Sequence, residues 1–153
     1  MVNQQFTFAV HIMTMLACSR QEVIASQTLA ASVNTNPVVV RRLLMALRRA
    51  GLIETFSGKN GGTRLRITPD RVSLAEIYDA VEPRRVISVN DRKALRQCHV
   101  SCNMKRIMST VARGTEEAVR RHLSRITLAE VVHNVGNSGR DVALRHRRTY
   151  ILR

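Results

Sequence analysis

A capped helix in the first third of the chain constrains the fold more than any other feature of the sequence. Asn36 can cap it, because an asparagine side chain accepts a hydrogen bond from an unpaired N–H of the first turn. Pro37 suits the first helical position, where the N–H that proline lacks would have no partner. An apolar stripe follows at spacings of three and four, formed by Val40, Leu43, Leu44 and Leu47. We expect this helix to run to about residue 50 and to end at Gly51.

Two helices are predicted before the capped helix. Apolar residues at helical spacing predict the first over residues 5–18. Ser26 can cap a short second helix over residues 27–31. A polar connection, residues 32–36, then leads into the capped helix, which gives the order of a helix-turn-helix.

A hairpin and a further helix are predicted after the capped helix. Residues 52–56 and 63–67 have the composition and alternation of strands, and a glycine-rich turn lies between them. The sequence Ser-Leu-Ala-Glu at 73–76 is a capping box that opens the next helix. Together these elements predict a winged helix-turn-helix DNA-binding domain over residues 1–82.

The second half of the chain is predicted to hold a linker, a long helix and a tail. Residues 83–102 are polar and basic and form the predicted linker, or cysteine loop. A long helix is expected from about residue 103 to 125, and a capping box at 127–130 opens a short final helix. These two helices make up the predicted unit 103–135. The basic residues 136–153 include little that could pack, so we expect a disordered tail.

The long helix has more apolar surface than a lone helix should expose, and the simplest partner is the same helix of a second subunit. The predicted dimerisation residues are Met104, Ile107, Met108, Val111, Ala118, Val119 and Leu123. The predicted fold class is therefore mainly α with a small β-wing: a winged helix-turn-helix followed by a long C-terminal dimerisation helix.

The charge of the chain points to a polyanionic partner. Lys and Arg number 25 against 11 Asp and Glu, which gives a net charge of +14. Such a surplus favours nucleic acid, because neutralising phosphates releases condensed counterions, although an anionic membrane or an acidic protein would also attract it. No segment reaches the roughly 18 apolar residues of a membrane helix. The first residues lack the basic region of a signal peptide, so we expect a cytoplasmic protein without a membrane partner.

The outer face of the capped helix and the wing supply the candidate contacts to DNA. The N-terminal end of a recognition helix enters the major groove, where Asn and Arg read base edges and apolar groups touch thymine methyls. The basic wing tip can reach a minor groove or a phosphate. The candidates are Ser26, Gln27, Asn34, Thr35, Asn36, Val38, Val39, Arg41, Arg42, Arg48, Arg49, Lys59, Asn60, Thr63 and Arg64. The alternatives are a solvated helix face, arginines that complement the helix dipole, and an ordinary hairpin turn.

The cysteines leave several interpretations open. Cys98 and Cys102 flank a histidine, a spacing that can serve a metal, but closed zinc sites and iron–sulfur clusters usually take four ligands. Cys18 lies on an apolar helix, where we expect it to be buried. Structural cysteines and no cofactor are the prediction, with a redox-active pair, Cys98 and Cys102, or an iron–sulfur cluster as the alternatives. We expect no enzyme, since the chain has no catalytic triad, carboxylate pair or phosphate-binding loop.

Six stretches of the chain resemble the Rrf2 family of bacterial winged-helix regulators over about residues 1–132. They are FAVH at 8–11, SQTLA at 26–30, NPVVVRRLL at 36–44, LRRAGLI at 47–53, GKNGGTRL at 58–65 and SLAEIY at 73–78. The resemblance implies a homodimer that crosses at the long helix and places two recognition helices in successive major grooves of double-stranded DNA. Cluster-binding members carry three closely spaced cysteines before that helix. This chain has two at a different spacing, which is closer to the cluster-free, YwnA-like members.

Three functions follow from these observations. The first is a sequence-specific, DNA-binding transcription regulator, a repressor that acts as a homodimer and responds to a redox or metabolite signal. The second is a nucleic-acid-binding protein without sequence preference, driven by the arginine surplus and the tail. The third is a protein-interaction module that uses the winged helix as a docking surface. The first is our prediction, because the outer face of the capped helix is basic and polar.

Overall fold

The described part of the chain folds into six helices and one antiparallel hairpin. The structure is a computed structural model that describes residues 4–19, 22–81, 86–90, 92–93 and 95–142. The elements are α1 Gln5–Cys18, α2 Ser26–Val33, α3 Pro37–Arg49, β1 Ile53–Phe56, β2 Gly62–Leu65, α4 Leu74–Val81, α5 His99–Leu123 and α6 Leu128–Val142, with a short 3₁₀ helix, Pro69–Arg71, before α4. This confirms the predicted fold class of helices with a small β-wing.

Helix α3 forms as the capped helix that the sequence predicts. Asn36 Oδ1 accepts a hydrogen bond of 2.8 Å from the N–H of Val38, and Pro37 occupies the first turn. The four residues of the predicted stripe are all buried. Beyond the helix, Leu52 donates its N–H to the carbonyl of Leu47 at 3.1 Å, which directs the chain into β1.

Helix α1 forms the centre of the core. It contacts α2, α3, α4, α6 and β2. Its residues Ala9, Ile12 and Met13 are fully buried, and Leu16 is nearly so. Because aliphatic residues and methionine fill this core, it relies on close packing between helices. We refer to α1–α4 with the hairpin as the winged domain.

The hairpin pairs β1 with β2 in antiparallel register, from Ile53 opposite Leu65 to Phe56 opposite Gly62. The chain just before α2 adds a short bridge to its other edge, where Ile24 and Thr63 exchange backbone hydrogen bonds of 2.9 and 2.8 Å. A Cβ on Gly62 would lie 2.5 Å from the carbonyl oxygen of Ile24, so this close approach requires glycine. The wing is therefore joined to the start of α2.

The prediction for α2 is wrong at both ends. Ser26 is the first residue of the helix rather than its cap, and the cap position is held by Ala25. The helix continues to Val33, past the predicted end at residue 31, because Val33 belongs to the buried face together with Leu29 and Ala30. The polar connection is correspondingly short.

The start of α5 and the end of β2 also differ from the sequence prediction. Helix α5 begins at His99, four residues early, because Cys98 Sγ accepts a hydrogen bond of 3.4 Å from the N–H of Ser101 and caps it. A thiol is a weak acceptor, so the sequence did not indicate a cap there. Strand β2 ends at Leu65, two residues earlier than predicted.

The final helix is longer than predicted. Thr127 and Glu130 form the predicted capping box, with hydrogen bonds of 3.1 and 3.2 Å. Helix α6 packs on α1 and on the 3₁₀ helix and runs to Val142, so the disordered tail predicted from residue 136 is wrong for 136–142. Residues 143–153 of that tail lie outside the described residues. Within the described ranges, no helix is long and apolar enough to cross a membrane.

The buried stripe of α3 allows a direct test of the core. We expect Leu47→Ala to lower the free energy of unfolding by about 2–5 kcal/mol, since it removes a fully buried side chain and leaves a cavity. Met45→Ala on the same helix is the control, because Met45 is 55% exposed. Urea denaturation followed by circular dichroism measures both variants. Equal losses for the two would contradict this assignment of the buried face.

Candidate nucleic-acid interface

The side of α3 opposite the core carries arginines and two apolar side chains. Val38 and Met45 are 57% and 55% exposed, and the four arginines of the helix are exposed as well. We call this set the free face of α3: Val38, Arg41, Arg42, Met45, Arg48 and Arg49. An apolar residue alternates with an arginine pair along successive turns, and α3 contains no acidic residue. The free face can therefore offer both hydrogen-bond donors and apolar contacts.

A groove of about 540 Å³ lies between α3 and the wing. Arg41 and Arg48 line it from α3, and Lys59 lines it from the turn of the hairpin. Ser26 and Gln27 line it from the first turn of α2. None of the described residues that line this groove is acidic, so the groove is an electropositive cleft suited to an anion.

The start of α2 adds to this character. Its cap position is Ala25, which offers no side-chain acceptor to the N–H groups of the first turn. Unpaired N–H groups at a helix start favour a negative charge such as a phosphate. The structure thus places the predicted residues Ser26 and Gln27 beside Arg41 and Arg48 in one groove.

Two of the wing residues predicted to contact DNA are engaged elsewhere. Thr63 is only 2% exposed and its backbone pairs with Ile24, so it is corrected to a structural residue of the hairpin. Arg64 Nε donates a hydrogen bond to Glu54 Oε1, and its guanidinium carbon lies 4.9 Å from the centroid of the Phe56 ring. These contacts hold the Arg64 side chain on the wing surface. Lys59 and Asn60 are exposed in the turn, as predicted.

The turn before α3 also serves structural roles. Asn34 is exposed in the left-handed conformation (φ 54°) and ends α2, and the N–H of Thr35 bonds to Ala30. The side-chain oxygen Oδ1 of Asn36 accepts the hydrogen bond that caps α3. Val39 is half-buried and packs against the core, and its contact with DNA stays a prediction.

Met45 is a candidate contact that the sequence reasoning missed. It lies four residues after Arg41 and lines the groove beside it. The spacing of the buried stripe would have identified it, since Met45 lies on the side of the helix opposite the stripe. Because methionine is flexible and apolar, it can follow a base edge or a thymine methyl.

The exposed apolar residues of α5 form a second candidate surface. We call it the α5 face; its large members are Val100 (64% exposed), Met104 (43%), Ile107 (46%) and Val111 (46%). Exposed Ala118 continues the pattern one heptad after Val111. The other three predicted dimerisation residues are less exposed. Met108 and Val119 are half-buried, and Leu123 is half-buried and packs against the chain's own core, so their part in a dimer stays a prediction.

The cysteines do not form the arrangement of a metal centre. Cys18 is exposed, not buried as predicted, because it ends α1 away from the core. Cys98 caps α5, and Cys102 Sγ donates to the carbonyl of Leu95 at 3.5 Å. Both thiols are free. Their pairing on oxidation stays a prediction.

Comparison with known proteins identifies one family and a shared fold. The sequence profile of the Rrf2 family, described as "Iron-dependent Transcriptional regulator", matches residues 2–134. YwnA of Bacillus subtilis (strain 168), named as a candidate HTH-type transcriptional regulator, is 28% identical over 135 residues, which are 88% of this chain and 99% of YwnA.

Two solved structures share the fold. That of a candidate transcriptional regulator from Lactobacillus plantarum matches with a TM-score of 0.77 and 24% identity, over 92% of this chain and 95% of its own. CymR of B. subtilis, named the global cysteine regulator, matches with a TM-score of 0.61 and 20% identity, over 88% of this chain and 97% of CymR.

The family description raises the question of iron. Among the described residues, no group of three or more His, Cys, Asp or Glu side chains is placed to hold a metal ion. Cys98 and Cys102 would supply two ligands of the four that a cluster usually takes. The described residues therefore do not fit an iron or iron–sulfur site.

The capping role of Asn36 can be tested by substitution. We expect Asn36→Ala to lower the free energy of unfolding by about 1 kcal/mol, because it leaves the start of α3 uncapped. Asn36→Ser should keep the stability of the native chain, since serine is an equally good cap. Urea denaturation measures both. If Asn36→Ala were as stable as Asn36→Ser, the hydrogen bond to Val38 would have no role in holding α3.

Proposed function

Because the chain belongs to the Rrf2 family of transcription regulators, we propose that it binds specific sequences of double-stranded DNA with α3 as the recognition helix. The observation that carries this proposal is the free face of α3, where exposed arginines and apolar residues stand opposite a fully buried stripe. Arg41 and Arg42 lie in the first half of the helix, the part that reaches base edges in a helix-turn-helix. The exposed side chains of Val38 and Met45 would contact thymine methyls.

The groove beside α3 would hold the sugar-phosphate backbone. Arg48, Lys59 and the uncapped start of α2 surround it, and contacts of this kind fix position without reading sequence. Arg41 belongs to the free face of α3 and also lines the groove, so it lies where the base contacts and the contacts to the sugar-phosphate backbone would meet. In this arrangement Arg64 stays on the wing beside Glu54 and Phe56 and does not contact a base.

The α5 face would pair with the same face of a second copy. Its residues recur at spacings of four, three, four and seven, the pattern of a coiled-coil seam. Gly114 falls between Val111 and Ala118 on this pattern, and a Cβ there would meet nothing within 4 Å in the described chain. A glycine inside a helix costs roughly 0.5–1 kcal/mol relative to alanine. Close approach of a partner helix would account for its presence.

The recognition helix can be tested with two arginines and a control. Arg41→Gln should lose roughly 1–3 kcal/mol of binding to the preferred sequence and change the bases preferred, whereas Arg48→Gln should weaken all sequences alike and lower the salt slope by about one. Arg113→Gln, at an exposed position on α5, is the control. Selection from random duplex DNA, followed by fluorescence anisotropy at several salt concentrations, measures the three. An Arg41→Gln variant with the wild-type site and affinity would refute the assignment of α3.

Shortening the chain separates specific from non-specific binding. A chain that ends at Val142 keeps all of α6 and loses the basic residues 143–153. We expect it to select the same DNA sequence as the full chain, with weaker binding to competitor DNA, since the tail would act through charge alone. Loss of all binding on truncation would instead support the nucleic-acid binder without sequence preference. The measurement is the same random-DNA selection.

The α5 face predicts a dimer that a single charge disrupts. Ile107→Asp places a carboxylate in the proposed seam and should convert the protein to monomers at micromolar concentration. Arg113→Asp on the opposite side of α5 should leave the dimer intact. Analytical ultracentrifugation gives the oligomeric state, and circular dichroism confirms the fold of both variants. A dimer that survives Ile107→Asp would show that the chain does not pair through this face.

A further inference from the structure

Glu116, in the second half of α5, joins three parts of the chain. Its Oε1 accepts a hydrogen bond of 3.1 Å from the hydroxyl of Tyr78 on α4. Its Oε2 accepts one of 3.2 Å from the backbone N–H of Val86, in the segment between α4 and α5. The Glu116 side chain is only 14% exposed. A carboxylate this shielded from water is stable only while such partners are in place.

Tyr78 is held firmly in the winged domain. It is 6% exposed, and its ring meets Phe6 of α1 edge-to-face at 5.4 Å between centroids. The ring cannot move without disturbing the core, so its hydroxyl is a fixed point of the winged domain. The bond to Glu116 therefore ties α5 to the core that also positions α3.

A second polar link lies beside the first. Arg120 Nε is 2.7 Å from Asp79 Oδ1, and this hydrogen bond raises the pKa of Arg120 above its usual value. Another nitrogen of Arg120 lies 3.9 Å from Glu116. Asp79 and Arg120 are each half exposed, and exposed pairs contribute little to stability. The shielded Glu116 is thus the stronger of the two links.

Apolar packing orients α5 on the winged domain only in part. Within the described residues of this 25-residue helix, Ala112 is the one that is fully buried, while Met108 and Val119 are half-buried and Leu123 packs against the core near the end of the helix. One small side chain and three partly exposed ones determine the crossing angle less closely than a fully interlocked interface would. Directional hydrogen bonds from α5 to α4 and to Val86 restrict that angle much more closely.

We infer that Glu116 is a positioning residue that fixes the angle between α4 and α5, and with it the separation of the two recognition helices in a dimer. This inference rests on the proposed function. In a helix-turn-helix dimer the spacing of half-sites follows the distance between recognition helices. A rotation at the joint between α4 and α5 would carry α3 along, because α3 packs against α4. Glu116 therefore selects half-site spacing without touching DNA.

The first test uses spacing as its readout. The probe is the duplex that the wild-type chain enriches from random DNA, remade with base pairs added or removed between the half-sites. We expect wild type to prefer one spacing by about ten-fold, which corresponds to about 1.4 kcal/mol, and Glu116→Gln to reduce this preference to about two-fold. Glutamine keeps an acceptor oxygen at only one of the two positions and places an NH2 donor at the other, so the two charge-assisted hydrogen bonds to the carboxylate are lost. Binding to an isolated half-site should be unchanged.

Matched variants separate positioning from loss of charge or of fold. Glu117→Gln removes the same charge from an exposed neighbour and should keep the full spacing preference. Tyr78→Phe keeps the ring on Phe6, removes one bond and should give an intermediate preference. An unchanged spacing preference in Glu116→Gln would overturn the inference. A loss of binding to an isolated half-site as large as the loss of spacing preference would also overturn it, because it would mean a general effect on the winged domain.

The second test needs no DNA. Spin labels at Arg49→Cys and Arg106→Cys, both exposed, report the distance between α3 and α5 in a chain whose native cysteines are replaced by serine. Mixing the labelled chain with an excess of unlabelled chain gives dimers with one labelled protomer, so the measured distance lies within a single protomer. We expect a broader distance distribution in Glu116→Gln than in Glu117→Gln, and equal widths would overturn the inference. If wild type enriches no duplex, the proposed function fails and this measurement alone decides the role of Glu116.

Discussion

The burial of one face of α3 is the constraint on which the rest of the winged domain depends. Val40, Leu43, Leu44 and Leu47 take up the inward positions, and α1 provides the fully buried surface that they meet. Since a helix has a fixed period, this burial makes the positions opposite the stripe face outward, while Val39 beside the stripe packs against the core. Two arginine pairs and two exposed apolar residues are therefore presented together. The core, more than any property of the arginines themselves, determines which side of the helix a partner can reach.

The wing depends on a close approach between two backbones. Gly62 lets Ile24 and Thr63 exchange hydrogen bonds, and this bridge brings the start of α2 to the edge of the hairpin. The groove between α3 and the wing exists because α2, α3 and the hairpin are fixed relative to one another. Its charge then follows from Arg41, Arg48 and Lys59, since no acidic residue of the described chain lines it.

The sequence was sufficient to predict the features that depend on local patterns and insufficient to predict those that depend on tertiary contacts. The cap of α3, its stripe and the two capping boxes are short-range patterns, and all form as predicted. The start of α5 was missed because a thiol caps it, and the end of α2 because burial extends that helix. For the candidate site, the arginines could be predicted from helical period. The engagement of Arg64 by Glu54 and Phe56 could not, because it depends on strand register.

Helix α5 combines two kinds of contact on different sides. Toward the winged domain it offers Ala112 and the hydrogen-bonded Glu116, and away from it the apolar α5 face. Apolar surfaces associate strongly and with little directional preference, whereas hydrogen bonds fix geometry at a small net gain in stability. In this arrangement the apolar side of α5 would form the dimer and the polar side would set the angle between α4 and α5. The strength of the dimer and the orientation of the winged domain could then vary independently. In that arrangement, substitutions near Glu116 would change half-site spacing while the dimer interface stays the same.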